Sequence, residues 1–361
     1  MIEGTVPNEI REGPDAIRAT VATARDAARS IAAAWRARGV RRVHVIGNGT
    51  SLHSSLASAQ LYRHLAGPDD PIVIPLTSAE FLTYQPALGP GDAIVGISSS
   101  GEFKDVVAVA ERVRGRTPMA GIVHVPGSSL TRVASDLVFS AGGPSTVPVM
   151  TKTFSATLVA TELLLLEILG GNRAERGVAG ILAAADAAES AIAAAEPLVE
   201  PLAAELTGIA HLFVTGGGLG YPAALEAALK LKEMALVHAE GAEVWEMESG
   251  AATMLGPDAV VIALAPEGPA RAAIARLLAH ASEWGARTIE VGHERLVPGS
   301  DLLPLPAGTN EEHAPLSSVP PVALLAFALA RARGANPDHP GWIERYHAQG
   351  LRHILVGEAP Q

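Results

Sequence analysis

Residues 213–233 read Phe213-Val214-Thr215-Gly216-Gly217-Gly218-Leu219-Gly220-Tyr221-Pro222-Ala223-Ala224-Leu225-Glu226-Ala227-Ala228-Leu229-Lys230-Leu231-Lys232-Glu233. A short apolar run ends in a glycine turn, and strong helix formers follow, so the stretch predicts strand, turn and helix. On that helix Glu226, Lys230 and Glu233 fall at i, i+4 and i+7 and share one face. By spacing alone this is a solvated face with i,i+4 ion pairs. The same grammar opens the first half, where Val43-His44-Val45-Ile46 runs into Gly47-Asn48-Gly49-Thr50-Ser51 and a predicted helix ending near Leu65.

Working outward, further strands are predicted at 72–75, 93–97, 121–125 and 136–139 in the first half. The second half offers 212–215, 259–263, 288–291 and 301–305. Apolar strands alternating with helices predict an α/β fold with parallel, doubly wound sheets of about five strands each. Each half ends in an apolar helix, 153–169 and 320–333, so the chain reads as a duplicated unit. The predicted organisation is a lead-in and helix (1–38), a first domain (39–172), a linking helix (173–207), a second domain (208–334) and a tail (335–361). Within the linking helix, Pro197 and Pro201 are expected to break the backbone.

Composition narrows the function. The 361 residues carry a formal charge of −11, which argues against nucleic acid as a partner. There is no cysteine, so disulfides and thiolate chemistry are excluded. The N-terminus has no signal-peptide pattern and the apolar stretches are interrupted by polar residues, so no membrane partner and a cytoplasmic location are expected. Lysine is scarce: Lys104, Lys152, Lys230 and Lys232 are the only four, and each lies in or beside a motif.

Ligands of doubly wound sheets bind beyond the C-terminal strand ends, at helix N-termini. Two first-half loops belong there. One supplies Gly49, Thr50 and Ser51; the other supplies Ser98, Ser99, Ser100 and Gly101. Hydroxyls, free amides and a helix dipole together describe an anion site, although each loop alone is also an ordinary helix cap. Neither is a dinucleotide fingerprint or a Walker A loop. The second half has a glycine turn but no Ser/Thr cluster, so one half is expected to hold the anion and the other to bring the Glu226/Lys230/Glu233 face. Glu243, Glu246 and Glu248 are acidic but lack His spacing, so no metal site is expected.

These residues, in this order, resemble the paired sugar isomerase (SIS) domains, and within that family the isomerase half of the glucosamine-6-phosphate synthases. The resemblance rests on Gly49-Thr50-Ser51, Ser98-Ser99-Ser100-Gly101-Glu102 and the run Tyr221 to Glu233. Asn8-Glu9-Ile10-Arg11-Glu12, Val125-Pro126-Gly127-Ser128-Ser129-Leu130, Thr151-Lys152-x-Phe154 and His238-Ala239-Glu240 support it. It implies two tandem SIS domains and a sugar phosphate, or a sugar with another C6 anion, as the small-molecule partner. Thr50, Ser51 and Ser98–Ser100 would hold the phosphate, with Gly49, Lys152, Ser249 and Arg345 also in the substrate site. Glu233 would move a proton between C1 and C2, Lys230 would position or assist it, and Glu226 would bind substrate or orient Lys230. A homodimer with a shared active site and no cofactor is implied.

Three positions depart from the family pattern. Ser249 stands where the family has its ring-opening His, Arg345 where it has a carbonyl-reactive Lys, and Phe103 where it has a phosphate-binding Thr. A glutaminase domain is not in the sequence, so glutamine-dependent transfer is not expected. The expected activity is phosphosugar aldose–ketose isomerisation or amino-sugar-phosphate deamination or deglycation. The alternative from another class is a non-catalytic sugar-phosphate sensor.

Overall fold

The computed structural model describes residues 2–343. The chain divides into two compact units, and the division does not follow chain order. One unit comprises Asp15–Ser145 with Thr153–Leu182. The other comprises the residues before Asp15, Thr146–Lys152 and Ala183–Pro340. The lead-in is therefore shared out: helix α1 (Thr5–Arg11) belongs with the second sheet, whereas α2 (Gly13–Ala37) lies almost wholly in the first-sheet unit.

The first sheet is built from β1 (Arg42–Gly47), β2 (Ile72–Thr77), β3 (Asp92–Ile97), β4 (Met119–Val123) and β5 (Asp136–Phe139). The intervening helices are α3 (Thr50–Leu65), α4 (Ser78–Tyr84), α5 (Lys104–Val113) and α6 (Ser129–Val133). All strand pairs are parallel, in the order β2-β1-β3-β4-β5. Every residue of β3 and β4 is buried, as expected for a sheet covered on both faces. Helix α7 (Lys152–Leu169) is rich in Leu, Ala and Val and is buried along its length. Its buried Glu167 is answered from α2, with Arg25 Nε at 2.8 Å and Arg29 Nε at 3.4 Å.

Helix α8 runs unbroken from Gly171 to Glu205, so Pro197 and Pro201 do not end it. Both prolines face solvent while Ala195, Val199, Leu202 and Ala203 are buried. Water can satisfy carbonyls that lose a helical partner on the exposed side, and the buried stripe keeps the helix together.

The second sheet comprises β6 (His211–Gly216), β7 (Ala239–Glu243), β8 (Ala259–Leu264), β9 (Arg287–Gly292) and β10 (Asp301–Pro304). Its helices are α9 (Tyr221–Ala235), α10 (Val244–Ser249), α11 (Arg271–Glu283), α12 (Ala314–Ser317) and α13 (Val319–Ala332). The order β10-β9-β8-β6-β7 repeats the topology of the first sheet, strand for strand. β7 has no strand-like sequence, being Ala-Glu-Gly-Ala-Glu. It forms at the sheet edge because β6 supplies a parallel partner. Gly241 permits it, since a Cβ there would stand 2.8 Å from the Cα of Leu225 on α9.

Two helical runs, Gly171–Glu205 and Glu311–Ala332, are long and apolar enough by composition to cross a bilayer. The second is 94% buried inside the fold, which marks it as a core helix.

Candidate active site

In the first sheet the order reverses between β1 and β3, and ligands of open α/β sheets bind at such a switch point. Ile46 pairs with Gly96, so the two strands end side by side. The loops that follow them are those carrying Gly49-Thr50-Ser51 and Ser98–Gly101. The structure thus brings the predicted anion-binding residues of this unit to one place.

Local chemistry explains each loop. Gly47 lets the strand run directly under the helix, because a Cβ there would meet the Ser51 backbone at 2.7 Å. Gly49 adopts φ +55° as the N-cap of α3, and no side chain caps that helix. Thr50 and Ser51 are buried at its first turn. Asn48 is held by Ser78 and lies 3.5 Å from Asp105. In the second loop the Phe103 amide donates to Ser98 Oγ at 3.3 Å, and the Glu102 amide donates to Ser100 Oγ at 3.2 Å. A serine that accepts an amide still has its own O–H to donate, so both remain competent anion ligands. The His124 amide donates to the Ser99 carbonyl at 2.8 Å. Gly101 sits at φ +70° against Ser128.

The second-sheet unit carries the Glu226/Lys230/Glu233 face, and its burial overturns the solvated-face reading. Glu226 is 0% exposed and Lys230 1%. Lys230 Nζ lies 3.1 Å from Glu226 Oε1 and 2.6 Å from Glu233 Oε2. Burial disfavours the ammonium, but the two carboxylates outweigh it and raise the Lys230 pKa above its ordinary value. Lys230 is therefore a fixed cation. Glu226, on the inner side, is placed to orient it. Glu233 is the member of the three that reaches the surface, with 28% of its side chain exposed.

The switch point of the second sheet, between β6 and β8, is unlike the first. Gly217 is forced by packing, since a Cβ would meet Ala270 at 2.4 Å. The Gly218 amide donates to Glu243 Oε1 at 3.2 Å. Glu311 carboxylate oxygens lie 3.5 Å from a Cβ built on Gly218 and 2.3 Å from one built on Gly268. Carboxylates occupy the place that an anion would need.

Lys152 is buried in the second-sheet unit, with Nζ 2.5 Å from Glu12. Ser249 ends α10, is exposed, and donates its hydroxyl to the Trp245 carbonyl at 2.8 Å. Arg345 lies outside the described residues. Of the acidic cluster, Glu243 caps α10 by accepting from the Trp245 amide at 2.8 Å, and Glu248 forms a two-pronged pair with Arg276 at 3.0 Å. Among the described residues no group of three or more His, Asp or Glu is placed to hold a metal ion.

A model of the SIS domain matches residues 38–167 and 205–303. The chain belongs to the SIS domain family. The two SIS matches cover the two sheets. Glutamine–fructose-6-phosphate aminotransferase (isomerizing) of Pyrococcus horikoshii is 31% identical over 303 residues, 83% of this chain and 50% of the relative. The chain spans about half the length of the curated relatives it matches. Among solved structures, the C-terminal domain of glucosamine-fructose-6-phosphate aminotransferase from Francisella tularensis superposes with a TM-score of 0.83 at 20% identity. That match covers 94% of this SIS chain and 99% of the other. Glucosamine-6-phosphate deaminase from Thermotoga maritima gives 0.70 at 19% identity, covering 91% and 97%. These two likenesses establish the fold.

The Gly127-Ser128-Ser129 turn packs against Gly101, where a Cβ would stand 2.0 Å from Ser128 Oγ, and no local sequence pattern shows that contact.

Proposed function

We propose that this SIS protein is a phosphosugar aldose–ketose isomerase, or a deaminase or deglycase of an amino-sugar phosphate, with Glu233 as the proton-transfer base. The observation that carries this reading is the Glu226–Lys230–Glu233 array. A buried ion pair holds in place one carboxylate that reaches the surface, and general acid–base catalysis needs such a positioned group. Homology to an isomerizing aminotransferase over most of the chain supports a sugar phosphate as substrate.

The chemistry follows from one group. Glu233 takes the proton from C2 of an open-chain aldose phosphate, leaving an enediolate with its charge on the C1 oxygen. A proton passes from the C2 hydroxyl to the C1 oxygen, and Glu233 returns its own proton to C1, giving the ketose and regenerating the carboxylate. With an amino sugar the same shift turns the nitrogen-bearing carbon into an imine, which water cleaves to a carbonyl and an amine. The serines and Thr50 hold the phosphate. Ser249 is committed to a helix carbonyl and is a poor acid at neutral pH, so this reading favours a substrate that arrives open-chain. The homodimer expected from the family belongs to the same reading, and sedimentation of the intact protein tests it.

The deciding experiment is Glu233→Gln with glucose 6-phosphate, fructose 6-phosphate and glucosamine 6-phosphate in D2O. Wild-type protein exchanges the C1 or C2 proton of at least one of them, and the variant binds that ligand without exchange. No exchange by the wild type with any ligand it binds would favour the sensor.

A further inference from the structure

The two sheets share one turn. Gly47 and Gly216 each end a strand so close to the next helix that a Cβ would strike the backbone four residues on, at 2.7 Å from Ser51 and 2.6 Å from Gly220. Two residues later Gly49 and Gly218 take the same left-handed backbone, with φ +55° and +53°. β8 then feeds α11 as β3 feeds α5, so two helix N-termini meet each switch point. Their partial positive charge favours an anion. The first-sheet turn offers hydroxyls, whereas the second-sheet turn is filled from its own chain.

The filler is Glu311. One carboxylate oxygen lies 3.5 Å from the Cβ position of Gly218 and the other 2.3 Å from that of Gly268, so the group stands between the loops that follow β6 and β8. The backbone fixes its place. The Glu311 amide donates to the Glu267 carbonyl at 3.0 Å, and the Glu267 amide donates to the Thr309 carbonyl at 2.8 Å. Glu243 and Glu267 are committed to other amides, Glu243 to those of Gly218 and Trp245 and Glu267 to that of Gly308 at 3.0 Å. Arg271, the first residue of α11, pairs with Glu294 at 3.0 Å. Carboxylates gathered in one crevice repel one another, so a further one needs the helix N-termini to offset that cost. Glu311 also begins the segment that covers α9. Helix α12 packs on the 218–220 turn and on α9, and α13 lies along α9. All of these residues lie in one compact unit.

We propose that Glu311 is an internal ligand of the second switch point. Its carboxylate stands in for an external anion and closes that place to ligands. By pinning the start of the α12–α13 segment to the start of α9, it is also a positioning residue for Glu233, which lies about 18 Å along the helix from Tyr221. The positioning role rests on the proposed function; the internal ligand does not.

The test is chemical rescue of the full chain. Glu311→Gly should melt below wild type in sodium chloride. Sodium formate at the same ionic strength supplies a free carboxylate, and should raise the melting temperature of that variant by about 2–4 °C, saturably, with no such gain in wild type. Glu311→Gln keeps the shape without the charge, so it should melt below wild type and gain nothing from formate; this comparison decides if the Gly variant does not fold. With a hexose phosphate that wild type turns over in D2O, Glu311→Gly should lower kcat for proton exchange roughly tenfold with KM within about twofold, and formate should restore it. Formate that stabilises wild type as much as the Gly variant, or stabilises neither, refutes the internal ligand, as does a Gln variant as stable as wild type. Rescue in the melts with exchange unchanged by the substitution supports the internal ligand and refutes the positioning role. Wild type that exchanges no hexose phosphate overturns the proposed function and the positioning role with it, while the melts still decide the internal ligand.

Discussion

Replacing Lys230 by Met tests whether the α9 array is a buried, mutually dependent unit. The ammonium lies 3.1 Å from Glu226 and 2.6 Å from Glu233. With an effective dielectric of about 20, those contacts amount to roughly 5 and 6 kcal/mol of Coulomb attraction. Most of this is offset by the desolvation of burying the charges. The loss on deletion has a different origin: Glu226 is wholly buried and would be left without its cation. Breaking a buried pair in this way costs about 3–5 kcal/mol, a large part of the roughly 5–15 kcal/mol by which domains are stable. Urea unfolding at neutral pH, followed by circular dichroism, should therefore show a marked fall in midpoint for Lys230→Met. The double variant Glu226→Gln/Lys230→Met should recover much of the loss, since no buried charge is then stranded. A fall of less than about 1 kcal/mol in the single variant, or a double variant no more stable than the single, would refute the reasoning. pH supplies a second readout. The folded Lys230 pKa is raised, so its contribution is complete below the ordinary lysine value of 10.5 and is lost as pH rises through the higher folded value. Wild type should lose stability in that alkaline window, and the Met variant should lose less.

Glu233→Gln should lower kcat by about 10²- to 10⁴-fold while leaving the dissociation constant for the sugar phosphate within a few fold, as measured by steady-state kinetics and titration calorimetry. Asp92, held by Arg42 and by the Gly89 amide, has its pKa lowered to about 2. Its contribution is present above the unfolded value near 3.8 and disappears as pH falls through about 2, so Asp92→Asn should raise the midpoint of acid unfolding measured by fluorescence. Gly101→Ala should destabilise by about 1–2 kcal/mol from the left-handed backbone alone, and by more because the new methyl would strike Ser128. Adding Ser128→Ala should relieve part of that loss in thermal melts.

Much of this molecule is legible from local pattern. The buried strands β1, β3 and β8 are short runs rich in Val, Ile and Ala, so sequence alone places them and predicts the alternation that makes two parallel sheets. The Ser/Thr loops and the Glu226, Lys230, Glu233 spacing were equally visible, because helix and strand periodicities act over a few residues. β7 was not visible, since Ala-Glu-Gly-Ala-Glu becomes a strand only beside β6. The prolines of α8 misled for the same reason: whether a helix survives them depends on which face is buried. Sharing residues 2–14 and 146–152 with the second sheet likewise depends on packing between distant segments. The largest change concerns the opening stretch. Spacing fixes which side chains share a face of α9, but not what covers it. Only the tertiary structure decides that Glu226 and Lys230 are sealed from water and Glu233 is not. That decision changes a surface ion pair into a rigid support for one accessible carboxylate, because charge–charge forces depend on the surrounding dielectric far more than on sequence distance.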